Sequence, residues 1–311
     1  MYIEPVSFAY RFFMLLRSIK LLIETNLFIA VAAVCFMWAN MYFLDIYVEN
    51  FWYLSAQIFF STWFIYQISR WIYFKKGEYG NKDELVIQWF EKYPTFNKIT
   101  IYSSGVAAVF FTLFLAKKTI LVLCIIGVVS LLYPVPILKL FGIKTRLRDF
   151  PFIKIFLIAF VWSATSVVLP YTESLSHSTT ISVRIVMLMF SVQFIYLLFI
   201  TLPFDINDAE TDKLSNVKTI PSVFGIKTSK IITLMLGIIY FFSILFMFML
   251  VNWNHLPNKY LSDSTIILIW VLLVLLQIFT FLKSDKVSKW WIKIIYDGSM
   301  ILYFLFILIT K

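Results

Sequence analysis

The sequence predicts an all-α polytopic membrane protein, a single transmembrane helical domain over residues 1–311. Three observations carry this. Hydrophobic residues make up 61% of the chain and charged residues only 14%, which no soluble globule tolerates. The mean hydropathy is +0.87. The apolar residues gather into nine stretches near the roughly 20 residues that a membrane-crossing helix needs. With the N-terminus inside, 22 of the 27 Lys and Arg fall on one side, as the positive-inside rule expects.

The elements follow in order. Residues 1–20 carry Arg11, Arg17 and Lys20 among aromatic and aliphatic side chains, a pattern for a helix lying in the interface. No small-residue cleavage site follows, which argues against a removed signal peptide. The nine spans are Leu21–Leu44, Phe51–Phe74, Ile99–Ala116, Thr119–Leu140, Phe152–Tyr171, Ile181–Pro203, Thr228–Val251, Ser264–Leu282 and Trp290–Thr310. Lys117-Lys118 alone separate the third from the fourth, so that turn is tight. The long loops, 74–98 and 204–227, both fall on the basic side. This predicts an integral protein of a bacterial inner (cytoplasmic) membrane, with its N-terminus in the cytoplasm and its C-terminus outside.

Composition excludes other classes. Cys35 and Cys124 lie inside apolar stretches and read as reduced packing residues. His177 and His255 sit in separate loops and suggest no metal cluster. A net charge of +10 would suggest nucleic acid in a soluble protein; here it sets topology, and no nucleic-acid partner is expected. Membrane lipid is the expected surrounding, and no protein partner is specified. Gln57, Gln193 and Gln277 read as interhelical hydrogen-bonding residues. Glu24 and Asp297, as acids inside spans, are functional candidates, and each also has a Lys at i−4, Lys20 and Lys293, which suits a local ion pair.

The most informative stretch is Asp205-Ile206-Asn207-Asp208-Ala209-Glu210-Thr211-Asp212, directly after the sixth span. On a helix, Asp205, Asp208 and Asp212 fall within an arc of roughly 60°, and Glu210 points elsewhere. Convergent carboxylates can hold Mg²⁺, which completes its shell with substrate phosphate oxygens. The competing reading is a solvated acidic helix end.

Three segments carry a family resemblance. Asp208 and Asp212 form an Asp-x-x-x-Asp motif. Lys218-Thr219-Ile220-Pro221-Ser222-Val223-Phe224-Gly225 is similar to a Lys-Thr-x-Pro…Gly segment. Leu132-Tyr133-Pro134-Val135-Pro136-Ile137-Leu138-Lys139 is similar to a span-four ending. Together with nine spans, these resemble the UbiA-type intramembrane prenyltransferase superfamily. The resemblance implies a nine-helix UbiA-like bundle that binds an isoprenyl diphosphate through Mg²⁺. Asp205, Asp208 and Asp212 would hold the metal, with Asp208 and Asp212 the catalytic pair. Loss of diphosphate would leave an allylic cation, which a small or lipid-like acceptor attacks in a shielded cavity.

The chain departs from that pattern at the end of span two. The family's Asn-Asp-x-x-Asp belongs there, but Phe64–Tyr73 contains no carboxylate. Gln67 stands as a neutral ligand or hydrogen-bond partner. Arg70 is a candidate for direct diphosphate contact, because guanidinium matches phosphate oxygens, and is expected to face Asp208 and Asp212 across a central cavity. Lys139, Arg146 and Arg148 flank the end of span four as further diphosphate candidates, or as topology determinants. The alternative function is a non-catalytic UbiA-like protein that binds an isoprenoid, quinone or protein partner.

Overall fold

A computed structural model describes residues 20–76, 84–135, 138–140, 143–175, 181–214, 217–253 and 263–309. The interfacial helix expected over 1–20 lies, apart from Lys20, outside them. The helices are α1 (Leu27–Leu44), α2 (Phe51–Lys76), α3 (Glu84–Lys92), α4 (Pro94–Thr112) and α5 (Lys117–Leu132). They continue as α6 (Ile153–Ser163), α7 (Leu169–Ser174), α8 (Val183–Leu214) and α9 (Ile220–Phe224), then α10 (Ile226–Trp253), α11 (Asp263–Lys283) and α12 (Lys289–Ile309). A π turn, Ala164–Val168, joins α6 to α7 just before Pro170.

Every predicted span overlaps a helix or, for the fifth, the α6–α7 pair. Among the described residues five are long and apolar enough to cross a membrane: Leu27–Leu44, Ile153–Ser174, Val183–Lys213, Ile226–Leu250 and Lys289–Ile309. Val106, Leu113, Leu121 and Phe242 are exposed on α4, α5 and α10 or their ends, as lipid-facing side chains would be.

Three boundaries differ from the sequence reading. The fourth span ends early, at Leu132, where Pro134 lacks the N–H that helix continuation needs. Leu138–Leu140 (β1) instead pairs antiparallel with Ile143–Thr145 (β2), Lys139 opposite Lys144. The sixth span does not stop at Pro203: α8 runs through it to Leu214, so the acidic run is helical rather than loop. The first span is interrupted at Thr25-Asn26, where Asn26 adopts φ 60°, a left-handed conformation that Asn tolerates.

That interruption organises one side of the bundle. It takes the carbonyls of Glu24 and Thr25 out of the helical hydrogen-bond pattern, which a membrane interior does not forgive, and leaves that of Ile23 with the Asn26 N–H at 3.2 Å. Three α2 side chains, spaced a turn apart, answer them. Trp63 Nε1 donates to Thr25 O at 2.8 Å. Gln67 Nε2 donates to the same oxygen at 3.3 Å. Arg70 donates from Nη1 to Glu24 O at 2.6 Å and from Nη2 to Ile23 O at 3.1 Å.

In the core, α1 packs against α2 and α12, and α8 against α6, α10 and α12. A buried polar cluster joins α1, α8 and α12. Gln193 Nε2 donates to Asn40 Oδ1 at 2.7 Å and to Tyr303 Oη at 3.4 Å, and Tyr196 Oη shares a 2.6 Å bond with Ser299. At the end of the bundle where α7 finishes and α5 begins, fully buried Glu173 accepts the Ala116 N–H at 3.0 Å and Asn50 Nδ2 at 3.2 Å.

Candidate functional site

At the opposite end a cavity of about 660 Å³ opens among the ends of α2, α5 and α8 and the start of α12. Its charged wall consists of Arg70, Arg146, Arg148, Lys289 and Lys293 against Asp208 and Asp212. Positive charge is therefore in excess.

The arginines after the hairpin are placed by aromatic rings. The guanidinium carbons of Arg146 and Arg148 lie 5.8 and 4.8 Å from the Tyr73 ring centroid, and that of Arg148 lies 5.9 Å from Tyr133. Arg148 Nη1 also donates to Tyr73 Oη. Its Nε is buried without a hydrogen-bond partner. The segment they occupy is anchored where the Phe152 N–H donates to Lys218 O at 3.0 Å. The Lys218–Gly225 stretch owes its residue types to this anchor. Thr219 and Ser222 form a reciprocal capping box on α9, Pro221 sits in its first turn, and Gly225 closes it at φ 84°.

The acidic run does not converge as its helical arc suggests. Asp205 turns into the protein, is 2% exposed, and meets Lys154 Nζ of α6 at 2.6 Å. Asp212 Oδ2 lies 3.9 Å from the same ammonium. Asp208 Oδ1 faces α12 instead, 3.0 Å from Lys289 Nζ. Asn207, between them, donates to the carbonyls of Ser284 and Val287 at 2.8 and 2.9 Å and ties α8 to the turn before α12.

Arg70 lines the cavity together with Asp208 and Asp212, while two of its N–H groups serve the carbonyls before α1. Asp297, one turn beyond Lys293, lies within electrostatic reach of both Lys293 and Arg70. Glu24 pairs with Lys20 at 3.8 Å, as their spacing predicts. Gln67 is buried outside the cavity wall: besides Thr25 O it donates to Thr100 Oγ1 at 3.2 Å and accepts from Asn26 Nδ2 at 3.1 Å. The structure thus does not bring Gln67 to the other candidates. Lys139 stands on β1, and its side chain lies outside the described residues. Lys154, Lys289, Lys293 and Tyr73 are the residues the sequence reading missed. Lys289 and Lys293, one turn apart at the start of a span, were the legible signal, but topology explained them equally well.

Mg²⁺ is a poor fit to this donor set. It needs carboxylate oxygens that point at one place. Here Asp205 and Asp212 share a lysine, Asp208 holds another, and no group of three metal-ligating side chains forms among the described residues. An ion at Asp208 would displace or repel Lys289.

A second, apolar cavity of about 920 Å³ lies among α2, α4 and α5. Ile65, Tyr66, Ser130, Val161 and Trp162 line both. The basic chamber and the apolar chamber therefore adjoin across one wall.

No family model and no curated protein matches the chain. Among solved structures it is similar to the apo form of a UbiA homolog from Aeropyrum pernix K1, at 11% identity and a TM-score of 0.64, covering 92% of this chain and 97% of that one. A UbiA homolog from Archaeoglobus fulgidus bound to GPP and Mg²⁺ is similar at 14% identity and a TM-score of 0.59, covering 92% and 98%. A UbiA homolog from Archaeoglobus fulgidus bound to Cd²⁺ gives 15%, 0.56, 92% and 99%. The chain has the UbiA-type fold.

Proposed function

Proceeding from the UbiA-type fold, we propose that this membrane protein binds an isoprenyl diphosphate and transfers its prenyl group to a small or lipid-like acceptor. One observation carries the reading. A cationic chamber adjoins an apolar one, which suits a single molecule with an anionic head and a hydrocarbon tail. The solved UbiA homolog with GPP supports the substrate class.

The diphosphate would occupy the basic chamber and the tail the apolar one. The allylic carbon would then fall near Tyr66 and Trp162, whose rings stand edge to face at 6.5 Å. Reaction breaks the C–O bond. The electron pair leaves with the diphosphate, whose growing charge the arginines and lysines stabilise. The aromatic faces favour the allylic cation. The acceptor donates a pair to that carbon and releases a proton. A second reading, binding without transfer, is favoured by the pairing of Asp205, Asp208 and Asp212 with lysines.

Purified protein in lipid nanodiscs, given geranyl diphosphate and membrane extract as acceptor, should release pyrophosphate faster than empty discs. Saturable binding with no pyrophosphate release selects the second reading, and absence of binding rejects both. The basic cavity is assigned to the cytoplasmic face of a bacterial inner membrane, with the N-terminus inside. Reporter fusions after Lys92 and Lys213 should then read inside, and after Lys311 outside. An inside C-terminus would contradict nine crossings.

A further inference from the structure

We infer that side-chain cations hold the diphosphate where metal ions would otherwise bridge it to the protein. This rests on the substrate class proposed above. Five cationic side chains and two carboxylates line the head-group chamber, a surplus that a polyanion would neutralise. The end of α2, where the family resemblance implies carboxylates, supplies Arg70 instead.

The remaining acids do the work of placing lysines. Asp208 holds Lys289 at 3.0 Å, and Asp205 holds Lys154 at 2.6 Å with Asp212 at 3.9 Å behind it. A divalent ion arriving at Asp208 would meet an ammonium already at hydrogen-bond distance, and at low local dielectric that repulsion is severe. Arg146 and Arg148 lie over the Tyr73 ring at 5.8 and 4.8 Å, which holds both guanidinium groups at the cavity wall. Arg148 Nε is a buried donor at the cavity wall with nothing to donate to, a costly state that a phosphate oxygen would relieve. Arginine offers phosphate a fork of donors and lysine a point charge, so the two types together replace both the bridging and the neutralising parts of a metal.

The test uses the full chain in lipid nanodiscs and geranyl thiodiphosphate, a non-reacting analogue, titrated in EDTA and in Mg²⁺. Dissociation constants within about threefold of each other are expected. In EDTA, Lys289→Met and Arg148→Leu should each weaken binding roughly tenfold or more, and Lys289→Arg should restore most of it. Asp208→Asn should leave the ratio of the EDTA and Mg²⁺ constants unchanged. A thermal melt of each variant verifies folding. Binding that falls more than about 100-fold in EDTA, with the Mg²⁺ enhancement abolished by Asp208→Asn, overturns the inference while the substrate reading stands. Absence of binding in EDTA and in Mg²⁺ alike overturns both.

Discussion

The two ends of the bundle bury acid in opposite ways. At one end Glu173 sits among donors that match it, the Ala116 N–H and the Asn50 amide. At the other, Asp205, Asp208 and Asp212 are met by Lys154 and Lys289; Arg70, Arg146, Arg148 and Lys293 add to the positive side, and Asp297 lies within electrostatic reach of Arg70 and Lys293. The first end closes on itself. It caps the start of α5 and has no use for a ligand. The second keeps a surplus of charge facing an open cavity. A balanced buried group marks architecture; an unbalanced set marks a place where something charged belongs.

The largest effect expected from separating them falls on the second end. Asp205→Asn strands Lys154 in the interior and should lower unfolding stability by about 3 kcal/mol, measured by chemical denaturation in detergent. A loss under about 1 kcal/mol would mean that Asp212 alone can hold the lysine. Glu173→Ala removes the acceptor for two donors and should cost about 2 kcal/mol. Geranyl thiodiphosphate affinity should not change in the folded variant. Weakened binding would show that the two ends are coupled and would break the comparison.

Gln67 sharpens the line between architecture and site on a single helix. Gln67→Leu should lower stability by about 1 kcal/mol, through Asn26 and Thr25, and leave ligand affinity intact. Arg70→Ala, three residues on, should weaken diphosphate binding by about 1.5–3 kcal/mol. Equal affinity loss in both would place the cavity's effect in the helix break rather than in Arg70 itself.

The smallest effect concerns the turn before α12. Burial opposes ionisation of Asp285, but Lys230 Nζ at 2.7 Å outweighs it and holds the carboxyl below its ordinary value. A lowered pKa stabilises the fold above the ordinary carboxylate range, and the contribution fades as pH falls through the lowered value. Asp285→Asn should therefore cost a few tenths of a kcal/mol at neutral pH and nothing once the pH lies well below the lowered value. An equal cost at both would assign the effect to packing.

The sequence made the helices legible because apolar length is a local property. Each predicted span overlaps a helix or the α6–α7 pair. It also marked Arg70, Arg146, Arg148, Asp208 and Asp212, which the structure brings to one cavity. What it concealed was pairing between distant segments. Asp205, Asp208 and Asp212 share a narrow arc of α8, yet α6 presents Lys154 on one flank and α12 presents Lys289 on the other. Nothing local to the acidic run announces either lysine. The interruption at Asn26 was marked locally by the polar run Glu24-Thr25-Asn26, but the apolar residues on either side of that run let the span be read as continuous. Trp63, Gln67 and Arg70 on α2 confirm the break, and their spacing also suits a ligand site. Gln67 and Arg70 were thus read as one feature and serve two.

The central claim is that two adjoining chambers hold one amphiphile. Gly127 on α5 lines the apolar chamber, and a Cβ built there would meet nothing within 4 Å. Gly127→Trp would add bulk to the lining of that chamber and leave every residue of the charged wall unchanged. The decisive measurement is the affinity of this variant for geranyl thiodiphosphate and for inorganic pyrophosphate, each against the parent protein. The account predicts that the prenyl analogue loses at least about tenfold in affinity while pyrophosphate binds unchanged. Unchanged affinity for the prenyl analogue, or an equal loss for both ligands, would contradict it.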